Sequence, residues 1–356
     1  MEAPDSLMRC SIFTCSTLMA VIATAAPAPV STLRSPWDGV AITQTGAPYS
    51  CPAPPPFART LDLSPYYIDK HASVIDPQKL VAFQQASEAP THLGQFASTA
   101  ADAYLAEGGR DAALCVYSLL DAAAKADAWA GKMPNFSGVY IQNWELSGTA
   151  ISYLKVRRSG AGTSEQDARI QRWFRLLAAR VRDFFDAEIR RMGPDNENNH
   201  LYWAGLAVAA AGIADNDRED FHWGMVAYDM GLDEIQPDGS LVAEMNRGQM
   251  ALHYHLYALG PLVMLAELGE ANGLDLYSEE DGAIHRLVKF CAGILEDPTI
   301  IEKRTGVPQV APNPMGGSDI GWAVPYVHRF PEPKLSALID KASGTRFWQW
   351  GGAPPD

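Results

Sequence analysis

From residue 80 onward, this chain repeats one pattern of apolar residues at i, i+3 and i+4 spacing, interrupted by short segments rich in Asn, Gly and Pro. The alternation typical of strands is scarce. The pattern predicts helices at residues 96–105, 111–130, 144–157, 165–185, 200–214, 221–231, 249–269 and 280–295. Short turns between helices of similar length favour an all-α toroid or barrel of antiparallel hairpins, with an irregular helical solenoid as the alternative.

The charge of the chain restricts its partners. Its 356 residues carry a formal net charge of -14 at pH 7. A surface of that sign repels nucleic acids and anionic membranes, so neither is expected as a partner. An anionic polymer could bind only where the few cationic side chains are concentrated in a cleft.

The first residues have the pattern of a secretory signal. Arg9 precedes an apolar run at residues 12–22, and Ala23-Thr24-Ala25 fits a small-x-small cleavage site. Because the run is too short to span a bilayer, we expect residues 1–25 to be removed on export to the periplasm or the medium. A retained, anchored leader is the alternative.

Two segments separate this signal from the helical region. Residues 26–60 are rich in Pro and Ala without a sustained period, which is typical of an extended arm. Residues 61–80 combine aromatic and charged residues with a Pro, which favours a mobile loop over a core strand. The expected organisation is therefore an arm followed by one toroid domain over residues 61–356, with a lid loop at its start.

Three cysteines would remain after cleavage, namely Cys51, Cys115 and Cys291. An exported protein meets an oxidising compartment, so one disulfide is expected. A bond between Cys51 and Cys115 would join the arm to the body and leave Cys291 as a buried free thiol. Three unpaired buried thiols are the alternative.

The residues able to do chemistry stand in two clusters. The first, Asn198-Asn199-His200-Leu201-Tyr202-Trp203, opens a predicted helix. Either asparagine could cap the helix, but a helix N-terminus also favours a bound carboxylate, to which the Asn199 amide could donate.

The second cluster surrounds Arg247 and Tyr254, which would share one face of a continuous helix, two turns apart. An arginine can hold a carboxylate with two hydrogen bonds. His253 and His255 have the wrong spacing to ligate a metal from one helical face, and no carboxylate cluster accompanies them, so neither a metal nor a cofactor is expected.

An amide, an imidazole, a guanidinium and a phenol are the groups needed to remove a proton beside a carboxylate. In a 1,4-linked uronic acid, Asn199, His200 and Arg247 could neutralise the carboxylate on C5. Nearby cationic or donating groups could lower the pKa of the Tyr254 phenol. That phenol could take the C5 proton and protonate O4 where both lie on one face, as in mannuronate and glucuronate but not in guluronate.

A glycoside hydrolase is the chemical rival, because it needs two carboxylates across the scissile bond. The acids available are Asp195, Glu197, Asp238 and Glu244. None of them lies in an apolar, aromatic segment that would raise its pKa, so the lyase is favoured.

Asn-Asn-His-x-Tyr-Trp at 198–203, with Arg-x-Gln-x-Ala-Leu-x-Tyr-His at 247–255, resembles the alginate lyases of polysaccharide lyase family 5. The likeness extends from about Cys51 to Gly352 and includes Cys-Pro-x-x-Pro at its start and Phe-x-x-x-Gly-Gly at its end. This resemblance implies an incomplete (α/α) toroid with a lid loop, in an exported enzyme that cleaves poly(β-D-mannuronate).

The resemblance also implies roles for individual residues. Asn199, His200 and Arg247 match the carboxylate-neutralising set, and Tyr254 matches the general base and acid. The remaining matches are expected to bind substrate, from the lid, the tunnel wall or beside the catalytic groups: Tyr66, Tyr67, Asn135, Ser137, Trp144, Trp203 and His253.

Two segments depart from the family's pattern. The lid reads Ser-Pro-Tyr-Tyr-Ile at 64–68 where Ser-Lys-Tyr-Glu-Gly is usual, and 135–138 read Asn-Phe-Ser-Gly where Asn-His-Thr-Gly is typical. A cation and an imidazole near the substrate are thus missing. We therefore expect a monomeric lyase of an anionic polysaccharide, with polymannuronate preferred. The alternatives are a lyase of polyglucuronate or glucuronate-containing polymers and a non-catalytic polyuronate-binding protein.

Overall fold

The structure is a computed structural model that describes residues 32–192 and 198–355. The described residues from Leu33 onward form one compact unit. The expected signal at residues 1–25 lies outside the described residues.

Helices dominate the described ranges, which contain isolated β-bridges but no strand. The long helices are α2 to α7, α9 and α10, and the others are short. In chain order they are α1 Pro77–Ala86, α2 Glu88–Glu107, α3 Arg110–Lys125, α4 Phe136–Val156, α5 Ser164–Met192, α6 Asn199–Asp215, α7 Arg218–Asp233, α8 Val242–Met245, α9 Ala251–Glu270, α10 Glu279–Glu296, α11 Thr299–Thr305, α12 Gly317–Ile320, α13 Ala323–Arg329 and α14 Pro333–Lys341.

The long helices form successive hairpins whose first members pack side by side. Helices α2, α4, α6 and α9 contact one another in that order, and α3, α5, α7 and α10 pack against them. Helices α4, α6 and α9 are buried around nearly their whole circumference, whereas α3 and α10 bury one face. The prediction of an all-α toroid of helix hairpins is therefore confirmed.

A short turn near the C-terminus, Trp348–Trp350, reaches all four inner helices. The Trp348 ring lies so close to Gly94 of α2 that any side chain there would overlap it, and the Trp350 ring is similarly close to Gly260 of α9. The indole of Trp350 also stacks on Trp203 of α6, with ring centroids 6.1 Å apart. The turn therefore ties the inner ring together.

A buried cation holds the end of the chain beside this turn. The Lys155 ammonium donates to the Asp102 carboxylate at 2.6 Å and to the backbone carbonyls of Gly351 and Ala353. A buried charge is costly unless it is paired and hydrogen-bonded. These contacts fix the last residues against α2 and α4.

Helix α3 ends five residues earlier than the apolar period predicts, at Lys125. Asp127 and Trp129 have positive φ, and the Trp129 N–H donates to the carbonyl of Ala58 in the N-terminal arm. Ala128, Trp129 and Ala130 are buried, but the arm takes the backbone hydrogen bond that a longer helix would use.

The expected loop at 61–80 is shorter than predicted, because α1 begins at Pro77. The Asp76 side chain accepts from the N–H groups of Gln78 and Lys79, and Pro77 occupies the first helical position. Residues 61–76, called the lid below, remain without a helix.

Residues 33–60 contain one 3₁₀ turn, Pro36–Gly39, and contact the C-terminal ends of α2, α4 and α6. The Asp38 carboxylate pairs with Arg157 and Arg158, and a disulfide joins Cys51 to Cys115 of α3. Cys291 is a buried free cysteine. Among the described residues, no helix is both long and apolar enough to cross a bilayer.

We predict that the Cys51–Cys115 bond stabilises the native state. It closes a sequence separation of 64 residues, for which restriction of the unfolded chain is worth about 4 kcal/mol. A Cys51→Ser/Cys115→Ser variant should melt at a lower temperature than the wild type. Reductant should lower the melting temperature of the wild type to that of the variant and leave the variant unchanged. An equal melting temperature for both oxidised proteins would contradict this prediction.

Candidate active site

The start of α6 separates the roles of its two asparagines. Asn198 is the N-cap, and its side chain accepts from the His200 N–H at 3.0 Å. Asn199 is therefore not needed as the helix cap, and its side chain makes a different contact. It is fully buried, and both its backbone N–H and its side-chain Nδ2 donate to the Glu244 carboxylate, at 2.9 and 2.8 Å.

Arg247 does not lie on the same helix as Tyr254, which corrects the expectation of a continuous helical face. It precedes a 3₁₀ turn, Gly248–Met250, and α9 begins only at Ala251. The two side chains nevertheless meet, since the guanidinium carbon lies 4.6 Å from the centre of the Tyr254 ring. The Arg247 Nε donates to Glu244 at 3.3 Å.

The lid closes over Tyr254. The hydroxyl oxygens of Tyr67 and Tyr254 are 2.8 Å apart, and the ring of Tyr66 packs against that of Tyr67 with centroids 4.5 Å apart. Both lid tyrosines named from the sequence are thus near the phenol, but only Tyr67 is hydrogen-bonded to it.

Further lid contacts were not foreseen from the sequence. Asp69 accepts from the N–H groups of His71, Ser73 and Val74 and shapes the turn of the lid. Gln249 then donates to the Ser73 carbonyl at 2.8 Å, so the segment that carries Arg247 also holds the lid.

The pKa of the Tyr254 phenol is raised, not lowered as expected. Burial is the largest cause, and the nearby Tyr66 adds to it. The hydrogen bond with Tyr67 and the charge of Arg247 act in the opposite direction without outweighing burial. The phenol is therefore protonated at neutral pH.

His200 is a neutral imidazole rather than a cationic neighbour of the phenol. Burial and the positive charge of Arg247 lower its pKa to about 3. Its ring stacks on Tyr140 with centroids 3.7 Å apart, and its Nδ1 is buried without a hydrogen-bond partner among the described residues. This Nδ1 can either donate or accept a hydrogen bond, depending on the tautomer of the ring.

Aromatic rings connect these groups. Trp144 lies 6.5 Å from His200 and 6.1 Å from Tyr257, while His253 stacks on Tyr257 at 5.8 Å. Tyr257 is 6.5 Å from Tyr254. Trp144 and His253 therefore stand beside the predicted catalytic residues.

Trp203 is a core residue, contrary to the expectation that it binds substrate. Its side chain is fully buried, and its indole N–H donates to the Tyr257 carbonyl at 3.1 Å. Its place on α6 is set by packing against Trp350. It packs against Tyr257, which in turn contacts Trp144, His253 and Tyr254.

The segment before α4 has a structural role. The Asn135 side chain caps α4 by accepting from the Gly138 N–H, and it donates to Asp62 at 2.7 Å. Ser137 is half-buried in the first turn. Phe136 is 48% exposed and packs on Tyr140 and Phe184.

The alternative of a glycoside hydrolase with these four acids finds little support in the described part of the chain. Asp238 is paired with Arg304. Burial raises the pKa of its carboxyl, but the hydrogen bonds from Ser240 and the contacts with Arg304 together lower it. The Glu244 carboxylate accepts hydrogen bonds from Asn199 and Arg247. Asp195 and Glu197 lie outside the described residues.

The metal-site expectation concerned His253 and His255. Both ring nitrogens of His255 have protein partners, the Ala251 carbonyl and the Leu241 N–H. Across residues 32–192 and 198–355, no group of three or more His, Cys, Asp or Glu side chains could hold a metal ion.

Three polar atoms at this place are buried without a partner among the described residues, namely Asn199 Oδ1, His200 Nδ1 and Trp144 Nε1. Burying a polar atom unsatisfied costs about 1–3 kcal/mol, so such atoms call for a ligand or water. Together with the Arg247 guanidinium they form a site suited to an anion that also carries polar groups. The Tyr254 phenol lies beside it, where it can exchange a proton.

Comparison with known proteins gives a consistent result. The alginate lyase family profile matches residues 61–301. A polysaccharide lyase of Stenotrophomonas maltophilia (strain K279a) is 40% identical over 289 residues, which cover 80% of this chain and 83% of that protein. An alginate lyase of Pseudomonas fluorescens (strain Pf-5) is 32% identical over 279 residues, covering 77% and 74%. The crystal structure of alginate lyase A1-III from Sphingomonas species A1 superposes with a TM-score of 0.72 at 25% identity, covering 86% of each chain.

We predict that His200 stays neutral in the native protein down to about pH 4. Its pKa of about 3 lies below the usual 6.5 because burial and Arg247 disfavour the imidazolium. The ¹⁵N resonances of its ring, assigned with a His200→Asn variant, should not change between pH 8 and 5. A midpoint near 6.5 would contradict the prediction.

The same shift has a consequence for stability. Because the unfolded chain takes up this proton near pH 6.5 and the native state does not, the stabilisation from His200 is complete above pH 6.5. It is lost as the pH falls toward 3.

Proposed function

The chain belongs to the alginate lyase family, and we propose that it cleaves a 1,4-linked polyuronate, polymannuronate by preference, through syn β-elimination. The products would carry a 4,5-unsaturated uronate at the new non-reducing end.

One observation carries this proposal: the Arg247 guanidinium lies over the Tyr254 ring and is joined to Asn199 through a shared carboxylate. A cation and an amide are thus held beside a phenol in a largely water-excluded site. That combination suits a substrate carboxylate whose neighbouring carbon must lose a proton.

Each group has a step in the proposed reaction. Arg247 and Asn199, with the neutral His200 as a hydrogen-bond donor, neutralise the carboxylate on C5. The Tyr254 phenolate removes the C5 proton, and the electron pair of that bond becomes the C4=C5 double bond. The C4–O4 bond breaks with its pair on O4, which takes the proton back from Tyr254.

The raised pKa of Tyr254 gives this mechanism a direction with pH. At neutral pH the phenolate is the minority form, because burial outweighs the charge of Arg247. As long as the pH is below the pKa, the phenolate population increases tenfold for each unit by which the pH rises. We therefore expect turnover to increase from neutral to alkaline pH.

The single phenol also supports the preference for mannuronate over guluronate. One group can serve C5 and O4 only when the proton and the leaving oxygen lie on the same face of the ring. Guluronate needs a base and an acid on opposite faces.

A lyase of broadened specificity is the second candidate. Phe136 presents an exposed ring where the family's typical pattern has a histidine, and the lid carries Tyr66 and Tyr67 without the usual lysine. Glucuronate differs from mannuronate at C2, away from the proposed chemistry. Polyglucuronate is therefore the first alternative polymer to test.

We also propose that the protein is exported to the periplasm or the medium and that residues 1–25 are removed. The Cys51–Cys115 bond supports this, because such bonds form and persist in oxidising compartments.

We predict that Tyr254→Phe abolishes elimination, lowering the rate by at least about 1000-fold, in line with the loss of general acid–base catalysis. The measurement is the ultraviolet absorbance of unsaturated uronates formed from polymannuronate, polyguluronate, polyglucuronate and hyaluronan. Binding of polymannuronate, measured by calorimetry, should persist in the variant.

The matched control is Tyr228→Phe, which removes a buried hydroxyl that donates to the Leu276 carbonyl in the outer layer. It should keep the wild-type rate. A near-normal rate for Tyr254→Phe would refute the role of this phenol. Binding without new absorbance from any polymer would instead favour a polyuronate-binding protein.

A further inference from the structure

A single buried carboxylate connects two separate parts of the site. Glu244 belongs to the short helix α8 and has no exposed surface. Its Oε1 accepts from the backbone and side chain of Asn199, and its Oε2 accepts from Arg247. These residues come from the start of α6 and the turn before α9, so the contact spans 45 residues of sequence.

The contact decides how the Asn199 amide is oriented. Nδ2 faces the carboxylate, and rotation of the amide would bring Oδ1 against the acceptor-only carboxylate instead. One N–H of Nδ2 is used in this bond, which leaves the second N–H for another acceptor. Asn199 Oδ1 stays buried and unpartnered.

The contact also decides which edge of Arg247 is available. The Nε–H is directed to Glu244, and Nη1 and Nη2 have no hydrogen-bond partner in the described part of the chain. A guanidinium presents its two terminal nitrogens as a planar fork that matches a carboxylate. The edge that remains is therefore the one suited to bind a uronate.

We infer that Glu244 is a positioning residue for the carboxylate clamp: it orients the Asn199 amide and the Arg247 guanidinium toward the substrate and holds that guanidinium over the Tyr254 ring. The inference rests on the proposed function and deepens it. Glu244 itself does not touch the reacting atoms.

Glu244 also influences the phenol electrostatically. Its negative charge raises the pKa of Tyr254, against Arg247, while Tyr66 and Tyr67 face the same hydroxyl from the lid. Replacing the carboxylate by an amide removes this contribution, but the displacement of Arg247 removes a larger, lowering one, so the pKa of the phenol should rise as the clamp loosens. The pKa shift and the loosened clamp change different parts of a pH–rate profile.

The test compares Glu244→Gln with a matched control, Glu267→Gln. Glu267 is a buried glutamate of α9 that pairs with Arg329 and accepts from Tyr277, about 20 Å along the helix from Tyr254. Both variants lose one buried carboxylate that holds an arginine. The measurements are the melting temperature, kcat and KM on polymannuronate, and kcat/KM against pH.

In Glu244→Gln, kcat/KM should fall about 100-fold, the size of effect that a small misplacement of reacting groups produces. The loss should fall more on kcat than on KM, because the charge on the substrate carboxylate grows in the transition state. The rise of kcat/KM with pH should begin at higher pH, because the phenol loses the nearby charge of Arg247. Glu267→Gln should show a comparable fall in melting temperature with kcat/KM and its pH profile unchanged.

A crystal structure of Glu244→Gln provides a readout that does not depend on activity. We expect the Asn199 amide to turn and the Arg247 guanidinium to leave the Tyr254 ring. Unchanged positions of both side chains, or equal kinetic losses in the two variants, would overturn the inference. A wild-type protein that forms no unsaturated product from any polyuronate would refute the proposed function instead, and the crystal structure would still decide the role of Glu244.

Discussion

The hydrogen bonds of Glu244 join the start of α6 to the turn before α9, and the geometry of the site depends on that junction. Neither segment alone could hold the clamp, since Asn199 lies at a helix end and Arg247 lies in a turn. Burying a carboxylate is costly, and the hydrogen bonds that compensate it come from the two groups proposed to bind the substrate. The same interaction that makes this carboxylate tolerable in the core thus orients the site.

The toroid supplies the rigid frame around this junction. Inner helices α4, α6 and α9 are packed on nearly all sides, and the Trp348–Trp350 turn locks their contacts. Residues at the ends of such helices can be held in fixed positions while a lid closes over them. Gln249, two residues after Arg247, bonds the lid at Ser73, so closure and the clamp share one segment.

Much of the fold and part of the site could be predicted from the sequence. The 3.6-residue period identifies the long helices, because each buries an apolar face. It cannot foresee that α3 stops at Lys125, since the arm residue Ala58 competes for a backbone bond there. The pKa directions of Tyr254 and His200 also required the structure, because burial outweighs the neighbouring charges that sequence spacing suggests. The sequence could not show whether Trp203 binds substrate or belongs to the core, because this depends on its packing against Trp350.

The central claim is that the Asn199 amide and the Arg247 guanidinium grip a uronate carboxylate beside the Tyr254 phenol. A crystal structure of Tyr254→Phe with a mannuronate tetramer tests it most directly. The account predicts one sugar carboxylate within hydrogen-bond distance of Asn199 Nδ2 and the terminal nitrogens of Arg247. C5 and O4 of that sugar should face the aromatic ring at position 254. A tetramer bound with every carboxylate away from those two side chains would contradict it.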